Sequence, residues 1–443
     1  MKNNIQIGMF GVGVVGTGVI QLLEENSKLI EKRIGKSISV THAVVSNPNK
    51  QRNVDLSGIH ISSNPDDILQ NPDIDIVLEL VGGTEFAEEI ILRALKAGKS
   101  VITANKAVLA EKSEQIFSTA YDSPGYFGFE ASVGTGIPII RTLREGYSSD
   151  TIYEISGIMN GTCNYILTRM ADEGLPYDEI LKDAQEKGLA EPDPTFDVEG
   201  YDTAHKLIIL MNLAFNGYFS YKDLYVEGIT DLALADIEYA KSLGYVIKLL
   251  GQAQATEKGI EGRVHPTMIP EDNILASVQG AFNAIAVTGD YVGPSVLYGL
   301  GAGPKPTAMA VVSDVIEACR FLVHEQLDPI PPFSIPKQYL TTQSIVSMDD
   351  TQTEYYLRFK VCDRPGVLAD ISKALGDESI SIRSMMQDTP THTPNQPVDV
   401  VIVTHTCGEK AIQKALAVIS KFDFILEKTK LIRIKNEEPA TAT

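Results

Sequence analysis

Tryptophan is absent from the 443 residues, and cysteine is rare. The four cysteines are Cys163, Cys319, Cys362 and Cys407, which lie far apart and form no CxxC pair. This spacing argues against a disulfide framework and gives no sign of a thiolate metal site. It is typical of reduced thiols in a cytoplasmic protein.

Long hydrophobic runs are missing as well. No stretch reaches the roughly 18 apolar residues of a membrane helix, so no membrane span is predicted. The first residues, MKNNIQIGMFGVGVVGTGV, combine a lysine with a short apolar run, as a signal peptide does. Their glycines and the lack of a small-residue cleavage site favour a first β-strand instead.

Positive charge is in short supply. The 38 lysines and arginines face 58 aspartates and glutamates, which gives a formal net charge of −20. No basic patch could easily dominate such a field, so neither a nucleic-acid partner nor binding to an anionic membrane is expected. A chain of this length is expected to form two or three domains.

Short β-rich runs alternate with helical patterns in the first third of the chain. This alternation predicts a parallel α/β sheet. A helix is expected to follow the first strand as far as about Ile30, and a later helix to end at Gly98. The predicted strands are 5–10, 37–45, 74–82, 100–105 and 126–132.

Three glycines follow the first predicted strand. Gly11, Gly13 and Gly16 form the motif GVGVVG between that strand and a helix. Glycines there allow a tight turn and let a pyrophosphate approach the helix N-terminus, so dinucleotide binding is predicted. A purely structural strand–helix turn is the alternative.

The end of the second predicted strand bears on the choice of dinucleotide. It reads VVSNPNKQR, with no carboxylate at Ser46 or Asn47 to bind a ribose 2′-hydroxyl. Lys50 and Arg52 follow closely, which favours a 2′-phosphate. Solvated surface charges are the alternative.

The segment 184–206, AQEKGLAEPDPTFDVEGYDTAHK, is rich in carboxylates and ends on a lysine. From Asp202 onward the chain is apolar and free of glycine and proline until Gly217, which predicts a buried helix with Asp202 as its N-cap. Asp202 and Lys206 are four residues apart and therefore share a helix face. Lys206 is a candidate proton donor or half of a structural ion pair.

Four other residues are chemical candidates. Lys106 follows the fourth strand at the sheet edge where ligands bind, although a solvated lysine is the alternative. Glu130, with nearby turn carbonyls, could hold a cation or form a charged rim. Cys163 could attack an aldehyde, or pack as a small residue. His205 could act as a base, or pack.

The carboxy-terminal part has a different texture. The stretch 326–350 is rich in proline and polar residues and is interpreted as a linker. Beyond it the pattern predicts a ferredoxin-like βαββαβ order. Residues 437–443 are predicted to be disordered.

Six motifs follow one another along the chain: GVGVVG, VITANKAVLA, EASVGTGIPII, GIMNGTCNYIL, the 184–206 segment and GLGAGPKPTA. Together they resemble the homoserine dehydrogenase family over about residues 5–325. The carboxy-terminal unit, with DRPGVLADI, resembles an ACT regulatory domain. No aspartokinase-like region precedes the glycine motif, so the monofunctional form is expected.

The resemblance implies an α/β fold with three domains. A Rossmann dinucleotide-binding domain would span 1–136 and be completed by a returning segment at 305–325. An α+β catalytic and dimerisation domain would span 137–304. An ACT domain would span 351–436, and a homodimer or homotetramer is expected.

The resemblance also implies an activity, the reversible reduction of L-aspartate 4-semialdehyde to L-homoserine. The cofactor would be NADP(H), with NAD(H) tolerated, and the reaction would serve threonine, methionine and isoleucine biosynthesis. Lys206 would donate the proton, Asp202 would orient it, and Lys106 would lie near the nicotinamide and the reacting oxygen. A sodium ion and an amino-acid effector, threonine, are also implied.

Site residues carry over by position. Substrate contacts are expected at Glu191, Asp197, Thr162 and Gly161. Cofactor contacts are expected at Phe10, Gly11, Gly13, Val14, Val15, Gly16, Lys106 and Gly303. Sodium ligands are expected at Glu130 and the carbonyls of Val133, Thr135 and Ile137, and effector contacts at Asp363, Arg364 and Gly366.

The sequence departs from the family pattern at three positions. Leu189 stands where an aromatic residue is common, Ser46 has no arginine nearby for the cofactor phosphate, and Phe86 replaces a proline. Two other functions remain open. One is a phosphorylating semialdehyde dehydrogenase that uses Cys163. The other is a non-catalytic amino-acid sensor built on the ACT domain.

Overall fold

The computed structural model describes residues 4–324, 329–387 and 396–435. The predicted tail at 437–443 and the first part of the predicted linker, 326–328, lie outside the described residues. The chain divides into two compact units. The first contains the chain up to Ile155, Asp202–Lys222 and Phe282–Ser344; the second contains Ser156–Tyr201, Asp223–Ala281 and the chain from Ile345 onward.

The strands and helices are numbered in chain order over the described residues. The strands are β1 Asn4–Phe10, β2 Ser37–Val44, β3 His60–Ser62, β4 Ile76–Glu79, β5 Ser100–Thr103, β6 Phe127–Gly128, β7 Ile152–Ile158, β8 Gly217–Phe219, β9 Tyr225–Val226, β10 Tyr245–Thr256, β11 Gly259–Pro270, β12 Phe282–Gly289, β13 Gly293–Leu300, β14 Thr341–Gln343, β15 Gln352–Cys362, β16 Ile382–Gln387, β17 Pro397–Thr404, β18 Cys407–Gly408 and β19 Lys430–Ile434. The helices are α1 Val14–Glu25, α2 Ser27–Ile34, α3 Asp66–Leu69, α4 Glu85–Lys96, α5 Lys106–Glu111, α6 Ser113–Asp122, α7 Ile139–Arg141, α8 Gly161–Glu173, α9 Tyr177–Glu186, α10 Thr195–Val198, α11 Tyr201–Ala214, α12 Leu234–Ser242, α13 Pro304–Val323, α14 Val367–Asp377 and α15 Glu409–Ile419.

The first unit is built on a six-stranded sheet in the order β3-β2-β1-β4-β5-β6. All its strand pairs are parallel. This is the doubly wound Rossmann order, with its switch point between β1 and β4. The predicted fold class is confirmed. The sequence pattern missed β3, which has only three residues and therefore too few for a visible alternation.

Helix α1 is shorter than predicted. It ends at Glu25, and α2 begins at Ser27 as a separate helix, so the expected continuous helix to about Ile30 is wrong. The apolar faces of α1 and of the late helix α13 enter one core with strands β1 and β4. Gly18 permits close helix contact there, because a Cβ at this position would lie 3.2 Å from the Cβ of Ala308. The returning helix α13 therefore packs on the six-stranded sheet.

Helix α11 is buried over nearly its whole length. Every residue from Asp202 to Leu213 is buried, as the run DTAHKLIILMNL predicts. The helix begins at Tyr201, one residue after Gly200, whose φ is +88°. Asp202 therefore lies in the first turn and is not the N-cap, which corrects the prediction. Its carboxylate is left to other partners.

The second unit contains a long antiparallel pair, β10 with β11. Strand β11 also pairs in parallel with β19, which extends the sheet as β10-β11-β19-β15-β17-β16. The last four strands have the predicted ferredoxin-like arrangement, with α14 and α15 packed against them in one core. The βαββαβ order of the carboxy-terminal part is confirmed. None of the described helices is long and apolar enough to cross a membrane.

Candidate active site

The glycine turn after β1 has the geometry of a phosphate-binding loop. Gly11 has φ +92°, and a Cβ there would lie 2.6 Å from the carbonyl oxygen of Leu80. A Cβ on Gly16 would lie 2.3 Å from the oxygen of Gly11, so neither position has room for a side chain. Gly13 precedes α1 and has nothing within 4 Å of an added Cβ, so its outer face is open to a ligand.

A cleft of about 750 Å³ lies beside this loop in the first unit. Its wall includes Gly13, Lys50 and Arg52, together with Pro304 and Lys305 from the start of α13. Three cationic side chains on one wall suit the phosphates of a dinucleotide.

Arg52 is fixed over the glycine loop by backbone oxygens. Its guanidinium donates to the carbonyl oxygens of Val12 at 3.2 Å, Lys50 at 2.7 Å and Asn47 at 3.0 Å. Among the described residues these partners are neutral, so the positive charge remains available to an anion. A planar guanidinium is well suited to a phosphate.

Gly303 stands immediately before α13, whose first two residues line this cleft. Its φ of +122° lies in the region that favours glycine, and Pro304 then starts the helix. Phe10, at the other side of the loop, is fully buried and packs edge-on against Phe86. The exposed side chain of Val14 begins α1. Of the predicted cofactor residues in this loop, Gly13 and Val14 line the cleft.

Two lysines meet one carboxylate at the start of α11. The Nζ of Lys206 donates to Oδ2 of Asp202 at 2.7 Å, as the spacing of four residues predicts. The Nζ of Lys106, at the start of α5, lies 3.1 Å from Oδ1 of Asp202. The side chain of Lys206 is 9% exposed and that of Lys106 is 34% exposed. Asp202 thus holds two ammonium groups, the deeper of which is Lys206.

Glu79 is a buried carboxyl at the end of β4 that the sequence pattern did not single out. Its Oε2 accepts a hydrogen bond from Oγ1 of Thr103 at 2.5 Å, and its Oε1 accepts from the backbone N–H of Val81 at 2.9 Å. Burial raises the pKa of Glu79 to about 7, although these hydrogen bonds favour the charged form.

The hydrogen bonds of Glu79 lead to Lys106. Thr103 Oγ1 accepts from the N–H of Asn105 at 3.0 Å. Asn105 in turn caps α5 by accepting from Val108 N, and its amide donates to the carbonyl of Gly83. Since α5 begins at Lys106, this network sets the position of the helix start and therefore of Lys106. In the sequence, the only sign of Glu79 is that a polar residue ends a buried strand.

We expect Glu79→Gln to flatten the pH dependence of stability. The pKa of Glu79 rises from its ordinary 4.5 to about 7 on folding, so ionisation in the native state costs stability. Both states hold the proton below about pH 4.5, and stability falls as the pH rises toward 7, by up to about 3 kcal/mol. The amide cannot ionise and avoids this loss.

Urea unfolding of both proteins at pH 5 and pH 8 measures the difference. The exposed Glu24 provides a matched control, and Glu24→Gln should retain the wild-type pH profile. If the stability of wild type and of Glu79→Gln depended on pH in the same way, Glu79 would not hold an additional proton in the folded protein.

His205 and Cys163 are both buried. His205 packs edge-on against Tyr221, and burial, together with the charge of Lys106, lowers its pKa to about 4. It is therefore neutral near pH 7 and packs in the core. The thiol of Cys163 is fully buried and donates to the carbonyl oxygen of Asp197 at 3.2 Å. That environment suits the packing alternative for Cys163 better than an exposed nucleophile.

The second unit brings the predicted substrate residues together around the start of α8. Asn160 caps α8, and its amide donates to Oδ1 of Asp197 at 2.8 Å. The hydroxyl of Thr162 donates to the carbonyl of Leu189 at 2.9 Å. At Gly161 a Cβ would lie 2.7 Å from the oxygen of Ala281, so this position needs glycine.

Glu191, the remaining predicted substrate residue, is exposed and lies in the acidic segment 184–206. Its carbonyl oxygen accepts a hydrogen bond from Nε2 of Gln185 at 3.1 Å. Asn160 had no predicted role, although it directly holds Asp197. The turn NGT before a helix is the signal that places it, because asparagine is a preferred N-cap.

Glu130 is buried beneath the start of α7 in the first unit. Its two carboxylate oxygens accept from the backbone N–H groups of Ile140 at 3.0 Å and Arg141 at 2.9 Å. Burial and the nearby charge of Asp314 raise its pKa to about 7. The following loop is tightly wound, with φ of +67° at Gly134 and +22° at Thr135.

This loop also contains a polar atom with no partner among the described residues, the buried hydroxyl of Thr135. The carbonyl of Ile137 accepts from Ile139 N at 2.7 Å, and Val133 is fully buried. A buried carboxylate beside turn carbonyls and an unsatisfied hydroxyl is chemically suited to a hard cation.

The turn before α14 contains the predicted effector residues. Gly366 directly precedes the helix, and its φ of +99° is a backbone conformation that favours glycine. Arg364 pairs with Asp423 and lies over the ring of Phe424. Asp363 accepts from Nε2 of Gln387 at 3.3 Å. Among the described residues, no side-chain cap bonds the first N–H groups of α14.

Three family models match the chain. They are Homoserine dehydrogenase, NAD binding domain, over residues 11–130; Homoserine dehydrogenase over 138–316; and ACT domain over 355–424. A homoserine dehydrogenase of Neisseria gonorrhoeae is 40% identical over 98% of this chain and 99% of its own.

Solved structures agree with the family models. A homoserine dehydrogenase from Thiobacillus denitrificans is 43% identical with a TM-score of 0.91, over 98% of both chains. A hyperthermophilic archaeal homoserine dehydrogenase in complex with NADPH is 25% identical with a TM-score of 0.60, over 71% of this chain and 97% of that one. Because the two homoserine dehydrogenase models cover residues 11–130 and 138–316, and relatives 40% and 43% identical match over nearly the full length, the chain belongs to the homoserine dehydrogenase family of NAD(P)-dependent oxidoreductases.

Proposed function

We propose that this chain catalyses the reversible NAD(P)H-dependent reduction of L-aspartate 4-semialdehyde to L-homoserine, a step toward threonine, methionine and isoleucine. The observation that carries the proposal is the pairing of Asp202 with both Lys206 and Lys106 at the start of a buried helix. Reduction of an aldehyde needs a cation and a proton at the carbonyl oxygen, and this cluster contains two ammonium groups.

Lys206 is the proposed proton donor to the carbonyl oxygen. The nicotinamide cofactor supplies the hydride when bound. The ammonium of Lys206 stabilises negative charge on the oxygen before its proton moves, and Asp202 holds that ammonium in place. Lys106 adds a second positive charge near the same oxygen.

Asp197 and Glu191 are the proposed partners of the substrate ammonium group. Both carboxylates belong to the acidic segment, and Asp197 is oriented by the amide of Asn160. Thr162 and Gly161 are proposed to contact the rest of the substrate. An acidic segment suits a cationic group, which explains the run of carboxylates before α11.

NADP(H) is the proposed cofactor, with NAD(H) tolerated. Arg52 and Lys50 line the cleft at the glycine loop, and β2 ends without a carboxylate to bind a ribose 2′-hydroxyl. The archaeal relative in complex with NADPH supports this choice.

Arg52→Ala should lower kcat/KM for NADP⁺ by about 10- to 100-fold, since a charge-assisted hydrogen bond contributes roughly 1.5–3 kcal/mol. The value for NAD⁺ should change little, because NAD⁺ lacks the 2′-phosphate. Steady-state kinetics with both cofactors measures the ratio, with the exposed Lys28→Ala as the control. An equal loss with both cofactors would mean that Arg52 only supports the loop.

A sodium ion is the proposed occupant of the loop after Glu130. Among the described residues no group of three or more His, Cys, Asp and Glu side chains could hold a metal ion. Glu130 with the carbonyls of Val133, Thr135 and Ile137 would instead supply one charge and several neutral oxygens, which suits a monovalent cation.

The ACT unit supports amino-acid regulation, with threonine as the proposed effector. Gly366 leaves room for a ligand against the backbone, and the start of α14 offers N–H groups to a carboxylate. A homodimer or homotetramer is proposed, since ACT units commonly pair. The cytoplasm is the proposed location, because the four cysteines are all free.

The test is homoserine-dependent reduction of NADP⁺ and NAD⁺ followed at 340 nm, with and without threonine. We expect turnover with both cofactors and inhibition by threonine. Phosphate-dependent oxidation of the semialdehyde that thiol reagents abolish would favour the Cys163 dehydrogenase. Amino-acid binding without any turnover would favour the sensor.

A further inference from the structure

Arg433 on β19 is a buried arginine with partners on three sides. Its Nε and Nη2 bind both carboxylate oxygens of Glu409 at 2.9 and 2.7 Å. Its Nη1 donates to Glu227 at 2.9 Å, and its Nη2 also reaches the hydroxyl of Tyr225 at 3.1 Å. Its side chain is only 3% exposed. One guanidinium thus ties the ACT unit to the segment that contains Tyr225 and Glu227.

That segment is short and lies at the edge of β11. Tyr225 and Val226 pair with β11, and the N–H of Glu227 donates to the carbonyl of Val264 at 2.8 Å. Two paired residues are too few to hold a strand firmly without other contacts. Arg433 bonds to Tyr225, the first residue of this strand, and to Glu227, the residue that follows it. These side-chain bonds therefore contribute to the position of the strand.

The next residues of the segment contact the substrate loop directly. A Cβ at Gly228 would lie 2.3 Å from the oxygen of Val198, and the N–H of Ile229 donates to that oxygen at 2.8 Å. The hydroxyl of Thr230 donates to Glu199 at 2.9 Å. The backbone of 228–230 is therefore packed against the backbone of 198–199 without room to spare.

Val198 directly follows the proposed substrate ligand Asp197. Both belong to α10, which has four residues and is too short to be stable by itself. Its position must come from tertiary contacts, among them the bonds from Asn160 and Cys163 on one side and the 228–230 backbone on the other.

We infer that Arg433 is a positioning residue for the substrate segment: through Glu227 and the 228–230 backbone, it sets where Asp197 presents its carboxylate. The inference rests on the proposed role of Asp197. It makes the ACT unit a part of the substrate site even when no effector is bound. It also gives effector binding a direct route to substrate affinity, since any shift of β19 moves Arg433.

The test compares Arg433→Met and Glu227→Gln with wild type. Methionine keeps an unbranched apolar stem but cannot bind Glu227, and Glu227→Gln removes the charge at the other end of the bond. We expect the KM for homoserine to rise on the order of 10-fold in both, with kcat changed less than about 3-fold and the KM for NADP⁺ unchanged. Arg433→Lys should recover part of the affinity.

Arg358→Met is the matched control. Arg358 lies on the neighbouring β15 and binds Asp236 at 2.7 and 3.0 Å, so its loss also removes a largely buried arginine–carboxylate pair. Among the described residues, Arg358 makes no hydrogen bond or ion pair to the 225–230 segment, and the KM of Arg358→Met for homoserine should stay at the wild-type value. A similar rise in the KM for homoserine in Arg358→Met would mean that the effect of Arg433→Met comes from general destabilisation of the protein.

Hydrogen exchange of the full chain separates this inference from the proposed activity. Amides of 195–200 and 225–230 should exchange faster in Arg433→Met and in Glu227→Gln than in wild type or Arg358→Met. If wild type fails to oxidise homoserine, the proposed function falls, whereas the exchange result still decides the positioning role. Unchanged exchange in both segments, or an unchanged KM in folded, active variants, would overturn the inference.

Discussion

Lys206→Ala is expected to lose turnover by about 10²- to 10⁴-fold while the protein remains folded. General acid catalysis and stabilisation of the developing alkoxide both depend on this ammonium. The fold should survive because Asp202 keeps its ion pair with Lys106 at 3.1 Å. The measurement is kcat for homoserine oxidation, with circular dichroism and the unfolding midpoint as evidence of folding.

Two controls sharpen the Lys206 result. Lys112→Ala removes a lysine of the same unit that pairs with Glu85 and Glu88, and it should keep wild-type turnover. Cys163→Ser should also remain active. A Lys206→Ala protein with near wild-type kcat would remove Lys206 from the mechanism, and a folded but inactive Cys163→Ser would favour the thiol dehydrogenase.

Asp202→Ala is expected to cost both stability and turnover. Asp202 is buried, and its carboxylate binds the ammonium groups of Lys206 at 2.7 Å and Lys106 at 3.1 Å. Removing one member of a buried ion pair costs about 3–5 kcal/mol, because a buried charge loses its compensation. The two ammonium groups would also repel each other, which displaces Lys206 from the position that catalysis needs.

Urea unfolding measures the loss, with Asp66→Ala as the reference. Asp66 pairs with Arg93 at the surface, and such pairs contribute roughly 0–1 kcal/mol. The double variant Asp202→Ala with Lys206→Met should regain stability but not activity, because it removes the buried positive charge together with its partner. A loss below about 1 kcal/mol in Asp202→Ala would show that the cluster does not depend on this carboxylate.

Local pattern predicted the parts of the fold that repeat along the chain. The strand, glycine turn and helix at Phe10–Val14 follow from residue order alone, since only glycine fits Gly11 and Gly16. The four-residue spacing of Asp202 and Lys206 on an apolar run predicts that they share a helix face, and on that face they form an ion pair at 2.7 Å. The βαββαβ order of the carboxy-terminal part was equally visible, because strand and helix periods differ.

The helix boundaries expected from the sequence are wrong where one or two residues set them. Asn26 separates α1 from α2 although the apolar pattern continues through it. Gly200, with φ +88°, moves the start of α11 to Tyr201, so Asp202 faces two lysines where a helix cap was expected. Such boundaries depend on single backbone conformations that periodicity does not report.

By itself the sequence determined the Rossmann and ferredoxin-like elements, the glycine loop and the Asp202–Lys206 pair, since each arises among residues close together in the chain. Tertiary structure alone decided that Lys106 reaches Asp202 and that Glu79 supports the start of α5. It also decided that β19 extends the β10–β11 sheet and places Arg433 on Glu227. These contacts join single side chains and strand edges far apart in sequence. Their partners are selected by sheet order and burial, which leave no periodic trace in the chain.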